Sequence, residues 1–179
     1  SSGRRSRWLS RPQAVSKPQR VSNQHNSHVS VTIAIEPPRQ PDVETLLAGS
    51  EAFAAELYPP DSCYLMNVSE LEAPEVEVFV ARIDGVALGM AALVSRGDGS
   101  AELKRLFVDD RARGQRLAGG LLDAIEAHAR DAGVGVIQLE TGPQSFAALA
   151  LYDRHGYRRI PNFGPYVGDE FSVCMEKAL

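Results

Sequence analysis

Apolar and polar positions along residues 30–108 follow two different periods, and the switches between them mark the elements. SVTIAI at 30–35 alternates β-branched residues and predicts a strand. Pro37, Pro38 and Pro41 close it, and Val43, Leu46, Leu47, Ala54 and Leu57 then recur at helical spacing. Tyr58-Pro59-Pro60 stops that helix, and residues 61–75 form a polar, acidic, irregular stretch suited to lining a pocket. VEVFVARI (76–83) and VALGMAALVS (86–95) flank Asp84-Gly85, a two-residue hairpin signal, and the turn GDGS (97–100) leads into AELKRLFV (101–108). Three consecutive antiparallel strands are predicted.

The remainder reads as helix and strand in alternation. After a charged, glycine-punctuated loop, Leu117, Leu121, Ile125, His128 and Ala132 form one stripe of a helix that breaks at Gly133. VGVIQLE (134–140) reads as a buried strand, and the helix before it lets it run parallel to AELKRLFV through a right-handed crossover. SFAALALYDRH predicts a second such helix ending at Gly156, and YRRI and FSVCMEK predict closing strands around the loop PNFGPYVGDE. No internal repeat is present, and 179 residues suit one buried core over residues 29–179.

Composition narrows the function. Residues 1–28 are rich in Ser, Arg and Gln with no apolar face, which predicts a disordered basic leader. An upstream leader, a transit remnant and a basic interaction arm all suit it. Six of the 19 basic residues fall before residue 36, where no acidic residue occurs, so the rest of the chain sets 13 basic against 23 acidic residues and carries about −10. That charge argues against nucleic acid and for amine partners, either small molecules or protein amines. No apolar run reaches the roughly 18 residues of a membrane span, and no membrane partner is expected. Cys63 and Cys174 have no metal-ligand spacing, so no metal is expected and a reducing cytoplasmic setting fits.

The loop at 109–119 carries the chemistry. A strand, a glycine loop and a helix N-terminus aim unpaired N–H groups at one point, where phosphate is the natural guest. A dinucleotide site would also place an acid near Glu140, but read as GxGxxG the loop sets Arg116 at the central position between Gly114 and Gly119, where backbone must approach pyrophosphate closely. The run Arg113-Gly114-Gln115-Arg116-Leu117-Ala118, preceded by Leu106 and Val108, resembles the acetyl-CoA motif Q/R-x-x-G-x-G/A of the GNAT N-acetyltransferase superfamily, with Arg116 in place of the middle glycine. Ala148-x-x-Leu151-Tyr152-x-x-x-Gly156-Tyr157 resembles that superfamily's second signature.

The resemblance, spanning residues 30–179, implies a mixed α/β fold. Its sheet is mostly antiparallel with flanking helices, and its two central parallel strands splay to admit the pantetheine arm of acetyl-CoA. It implies cofactor contacts from Leu106, Phe107 and Val108, from the loop residues Arg113 to Ala118 with Gly119, and from Ser145, Ala148 and Tyr152. It further implies an acetyl-CoA-dependent N-acetyltransferase acting on a primary amine by direct attack, with homodimerisation left open. A non-catalytic acyl-CoA-binding sensor of the same fold is the alternative.

Such a reaction needs a base, because a lysine-like amine is neutral in only about one molecule in 2,500 at pH 7. Strict alternation along AELKRLFV puts Glu102, Lys104, Leu106 and Val108 on one face, and the resemblance implies Glu102 as the candidate base, at a position where some relatives carry one, and Tyr152 as a match to the family's acid. His128 reads as a satisfied core or edge histidine, and His155 as a partner of its helix's C-terminal dipole. Tyr166 and Asp169 face either the acceptor or their own loop, and Glu140 has no assigned role.

Overall fold

The computed structural model describes residues 28–179, so the basic leader expected over 1–28 lies, but for its last residue, outside the described residues. Strands β1 (Val31–Ile35), β2 (Val76–Ile83), β3 (Val86–Ser95), β4 (Ser100–Val108), β5 (Val136–Thr141), β6 (Arg158–Ile160) and β7 (Val173–Ala178) form one sheet ordered β1-β2-β3-β4-β5-β7-β6. Only the β4–β5 pair is parallel, because α3 (Leu117–Asp131) supplies the crossover between them. The fold is the expected mixed α/β one, with α1 (Pro41–Leu57), the short α2 (Val68–Leu71) and α4 (Phe146–Arg154) completing it. The two-residue hairpin forms as its sequence demands, with Asp84 at φ 49° and Gly85 at φ 83°.

Helices cover both faces. On one, Leu121, Leu122 and Ile125 of α3 pack against Phe79, Leu103, Ile137 and Leu139. On the other, Val43, Leu46 and Leu47 of α1 pack against Val78, Val80 and Met90. Each such side chain contributes about 1.5–3 kcal/mol by burial. The inner stripe of α3 closes with Ala129 rather than Ala132, which is exposed because the helix ends at Asp131 and the chain turns away at Gly133 with φ 80°. The stretch expected to be irregular contains α2, started by a capping box in which Asn67 and Glu70 bond reciprocally to each other's backbone amides.

Two irregularities in β4 shape everything near it. Parallel pairing joins Ser100–Leu103 to Val136–Leu139 and then stops, although β4 runs on to Val108 and β5 to Thr141. The two strands therefore part in a fork, as expected. On its other side β4 bulges: Met90 pairs with Phe107 and Ala92 with Lys104, leaving Arg105 and Leu106 opposite Ala91, with Arg105 at φ 59°. The bulge overturns the strict alternation read from the sequence. Glu102 and Lys104 lie opposite Leu103, on the α1 side of the sheet, but Leu106 and Val108 pack with the α3 core, and it is Phe107 that packs with the α1 core. One inserted residue flips every side chain after it.

The end of α1 is pinned to the β5–α4 corner. Tyr58 shares a 2.8 Å hydrogen bond with Ser145 Oγ and accepts one of 3.1 Å from the Gln144 N–H. Gly142 permits this approach, since a Cβ there would fall on the Tyr58 ring. Gly142→Ala should therefore displace the ring and destabilise the protein by about 1–3 kcal/mol in urea unfolding, the usual range for overpacking. An unchanged midpoint would mean that the corner tolerates losing the Tyr58 contacts.

Candidate active site

Beyond the fork lies a groove of about 1340 Å³. Its floor is the diverging strands, its walls the C-terminal end of α1 and the N-terminal ends of α3 and α4. Leu106, Phe107 and Val108 line it along the side of β4 that β5 has left, so that edge offers backbone donors and acceptors to an extended guest.

At one end stands the N-terminus of α3. The first backbone bond into this helix runs from the Gly120 N–H to the Arg116 carbonyl, so the amides of Leu117, Ala118 and Gly119 precede the helical ladder, and no side chain caps them. Arg113, Arg116 and Arg154 line the groove nearby. Unpaired amides, a helix dipole and guanidinium groups together suit a phosphate-bearing molecule, and the open β4 edge suits an amide-containing arm. The residues present fit the coenzyme A group that the resemblance implies.

Ala118, Gly119, Ser145, Ala148 and Tyr152 line the groove as well. Three loop residues expected as contacts do not. Leu117 is buried in the α3 core as the first apolar position of the helix's inner face. The Gln115 N–H donates to the Ala112 carbonyl, and Gly114, at φ 80°, shapes the turn. Arg116 stands at φ 57°, so a non-glycine residue takes the left-handed conformation at the motif's middle position.

The fork itself holds the titratable groups. Glu140 lines the groove just beyond Leu139, the last residue of β5 paired with β4, and accepts a 2.8 Å hydrogen bond from Ser172 Oγ. Burial pushes its carboxyl up to about 7, although the Ser172 bond and the positive charge of Lys104 pull the other way. Tyr152 presents a ring that is 5% exposed and packed edge-on against Tyr157 at 5.7 Å, and burial, with the Glu140 charge, raises its hydroxyl well above the ordinary tyrosine value.

Glu102 sits elsewhere. Its Oε1 accepts from the Tyr166 hydroxyl at 2.6 Å and its Oε2 from Arg96 at 3.0 Å, and it does not line the groove. Tyr166, 1% exposed, stands between it and Lys104, whose Nζ donates to the Tyr166 oxygen at 2.8 Å. Asp169 accepts from the Tyr64 hydroxyl at 2.8 Å and so ties the segment before α2 to the β6–β7 loop. His128 is an edge histidine, 2.6 Å from Glu77 Oε2 and edge-on to Phe79. His155 places Nδ1 3.0 Å from the Leu151 carbonyl near the end of α4.

Sequence reasoning missed Glu140 as a groove residue. The available signal was the parallel register of Glu102 with Gln138, which places Lys104 and Glu140 side by side at the fork. Tyr58 and Phe171, which pack edge-on at 6.5 Å in the groove wall, carried no signal because nothing local joins the end of α1 to the loop before β7.

Residues 43–157 match the acetyltransferase (GNAT) family. A curated relative from Azospirillum brasilense, described as an IAA acetyltransferase, is 38% identical over 151 residues, covering 84% of this chain and 99% of the relative. A solved structure from Klebsiella pneumoniae subsp. pneumoniae MGH 78578, provisionally named an acyl-CoA N-acyltransferase, is 35% identical, with 83% of this chain and 97% of that one covered at a TM-score of 0.71. The PaiA N-acetyltransferase of Thermoplasma acidophilum, solved with coenzyme A, shares the fold at 18% identity and a TM-score of 0.65, covering 84% of this chain and 99% of that one. Sequence kinship over nearly the full length of a relative thus agrees with the shape of the sheet and its fork, and the chain belongs to the GNAT acetyltransferase family.

Proposed function

We propose that the protein transfers the acetyl group of acetyl-CoA to a primary amine in a ternary complex, with Glu140 as the base and Tyr152 as the acid. The observation that carries this reading is that a carboxyl poised near 7 and a desolvated tyrosine line one groove at the fork. Acetyl-CoA supplies the thioester, whose carbonyl carbon gains a bond to the amine nitrogen as its bond to sulfur breaks.

An acceptor amine arrives mostly protonated, and only the neutral form attacks. Glu140, whose carboxyl is pushed up to about 7 by burial, takes that proton in its carboxylate form, directly or through water. Tyr152 gives its proton to the departing sulfur. The raised affinity of its hydroxyl for the proton keeps Tyr152 in the donor form at neutral pH. Glu102, held by Tyr166 and Arg96, is proposed to fix Tyr166 rather than to meet the acceptor. In the groove's other arm, the amides opening α3 and Arg116 hold the pyrophosphate, and the unpaired edge of Leu106 to Val108 holds the pantetheine arm.

Four outcomes are expected. Coenzyme A at a hundredfold excess over its Kd should stabilise the fold by about 2.7 kcal/mol, seen as a raised Tm. A flat response would remove the basis of the reading, whereas binding without turnover on any amine would favour the acyl-CoA sensor.

For Glu140, kcat/KM should rise with pH through about 7 as the carboxylate forms. Glu140→Gln should erase that inflection and cost roughly 10²–10⁴ in rate, leaving only the rise from ionisation of the acceptor. The same group makes a stability prediction. Its folded-state pKa lies above the ordinary 4.5, so the folded state holds the proton more tightly and stability declines as pH rises from about 4.5 through 7. Glu140→Gln should flatten that decline, and a parallel slope in the variant would assign the pH dependence to other groups.

Tyr152→Phe keeps the ring and hence the packing against Tyr157. Turnover should fall by roughly 10²–10⁴ in kcat with coenzyme A affinity retained. Normal turnover with weak coenzyme binding would make the hydroxyl a binding contact instead.

A further inference from the structure

The fork carries a cation that acetyl transfer does not use. Lys104 and Glu140 are the first residues beyond Leu103 and Leu139, the last positions that pair β4 with β5, and both lie opposite the α3 core on the α1 side of the sheet. Both line the groove. Only 17% of the Lys104 side chain is exposed, yet its Nζ donates one hydrogen bond, to the neutral Tyr166 hydroxyl at 2.8 Å. The nearest carboxylate oxygen, Glu102 Oε1, is 3.7 Å away and already accepts from Tyr166, while Glu102 Oε2 accepts from Arg96. A largely buried ammonium thus keeps donors for a guest.

We propose that Lys104 binds the carboxylate of the acceptor, and that the acceptor is a free amino acid with an apolar or aromatic side chain. This rests on the acetyl-transfer reading above. An amine at Glu140 belonging to an α-amino acid brings its carboxylate one carbon away, toward the neighbouring strand and Lys104. A polypeptide N-terminus presents an amide at that place and leaves the remaining ammonium donors desolvated without a hydrogen-bonded anion. A polyamine adds a like charge. The side chain then meets the aromatic wall, where Tyr58 packs on Phe171 and Tyr64 on Tyr166 with centroids 4.9 Å apart in the second pair.

The test compares kcat/KM for L-phenylalanine and L-leucine with that for their amides, 2-phenylethylamine and spermidine, with coenzyme A binding measured by calorimetry on every protein used. The intact enzyme should favour the two amino acids by roughly 10- to 100-fold over the other amines. In Lys104→Met that gap should close because the amino acids' KM rises, and Lys104→Arg should restore the preference. Coenzyme A binding combined with equal or better use of the amides or spermidine, with no amino acid acetylated, or with an equal loss on all acceptors in Lys104→Met overturns the assignment and leaves the acetyl-transfer reading standing. Failure to bind coenzyme A overturns both.

Discussion

The structure depends on four register pairs. Parallel β4 and β5 bond from Ser100–Val136 to Leu103–Leu139 and no further, so the middle of a seven-stranded sheet contains an open edge. Buried backbone groups demand partners, and a sheet that withholds them within its own centre is shaped to receive another chain of donors and acceptors. The α3 crossover that makes the pair parallel also delivers its uncapped N-terminus to the mouth of the same fork. One topological fact thus sets a strand-like edge and a group of unpaired helix amides side by side.

Electrostatics at the fork follows from its depth. A carboxyl and an ammonium both lie where solvent is scarce: burial raises Glu140 toward neutrality and the Lys104 charge restrains the rise. The β6–β7 loop contributes Tyr166, whose hydroxyl accepts from Lys104 and donates to Glu102, so a neutral group bridges an ammonium and a carboxylate that lie 3.7 Å apart. That loop is held closed on itself by Asn162, which donates to the carbonyls of Tyr166, Asp169 and Ser172. The loop's shape therefore determines which ion remains available to a ligand.

The bulge in β4 determines what the groove is made of. At Arg105 the strand changes phase, sending the guanidinium beneath α1, where Nη2 donates to the Leu47 carbonyl at 3.2 Å and burial lowers its affinity for the proton. Leu106 and Val108 consequently face α3 while Phe107 packs toward α1, with Gly49 leaving room for its ring. The acidic segment after α1 reaches this region through Tyr58 and Tyr64, whose partners Ser145 and Asp169 are 87 and 105 residues distant along the chain.

By itself the sequence determined the elements, their order and the family resemblance. Period-two runs, the Asp84-Gly85 turn and the helical stripe from Leu117 to Ile125 act between near neighbours, so they are legible without a fold. The parallel pairing was legible too, because a helix between two strands lets them run parallel, and its fork was legible through the resemblance. Tertiary structure decided which carboxylate meets the groove. Alternation alone favoured Glu102, but the phase of a side chain survives only until the next bulge, and its surroundings depend on strands and loops far along the chain. Glu140 became prominent through burial between β4, β7 and the loop bearing Ser172 and Tyr166, and Lys104 through the absence of a carboxylate within hydrogen-bond reach. Periodicity is a short-range property. Desolvation and charge pairing sum over everything packed within several ångströms, and only the folded chain specifies that set.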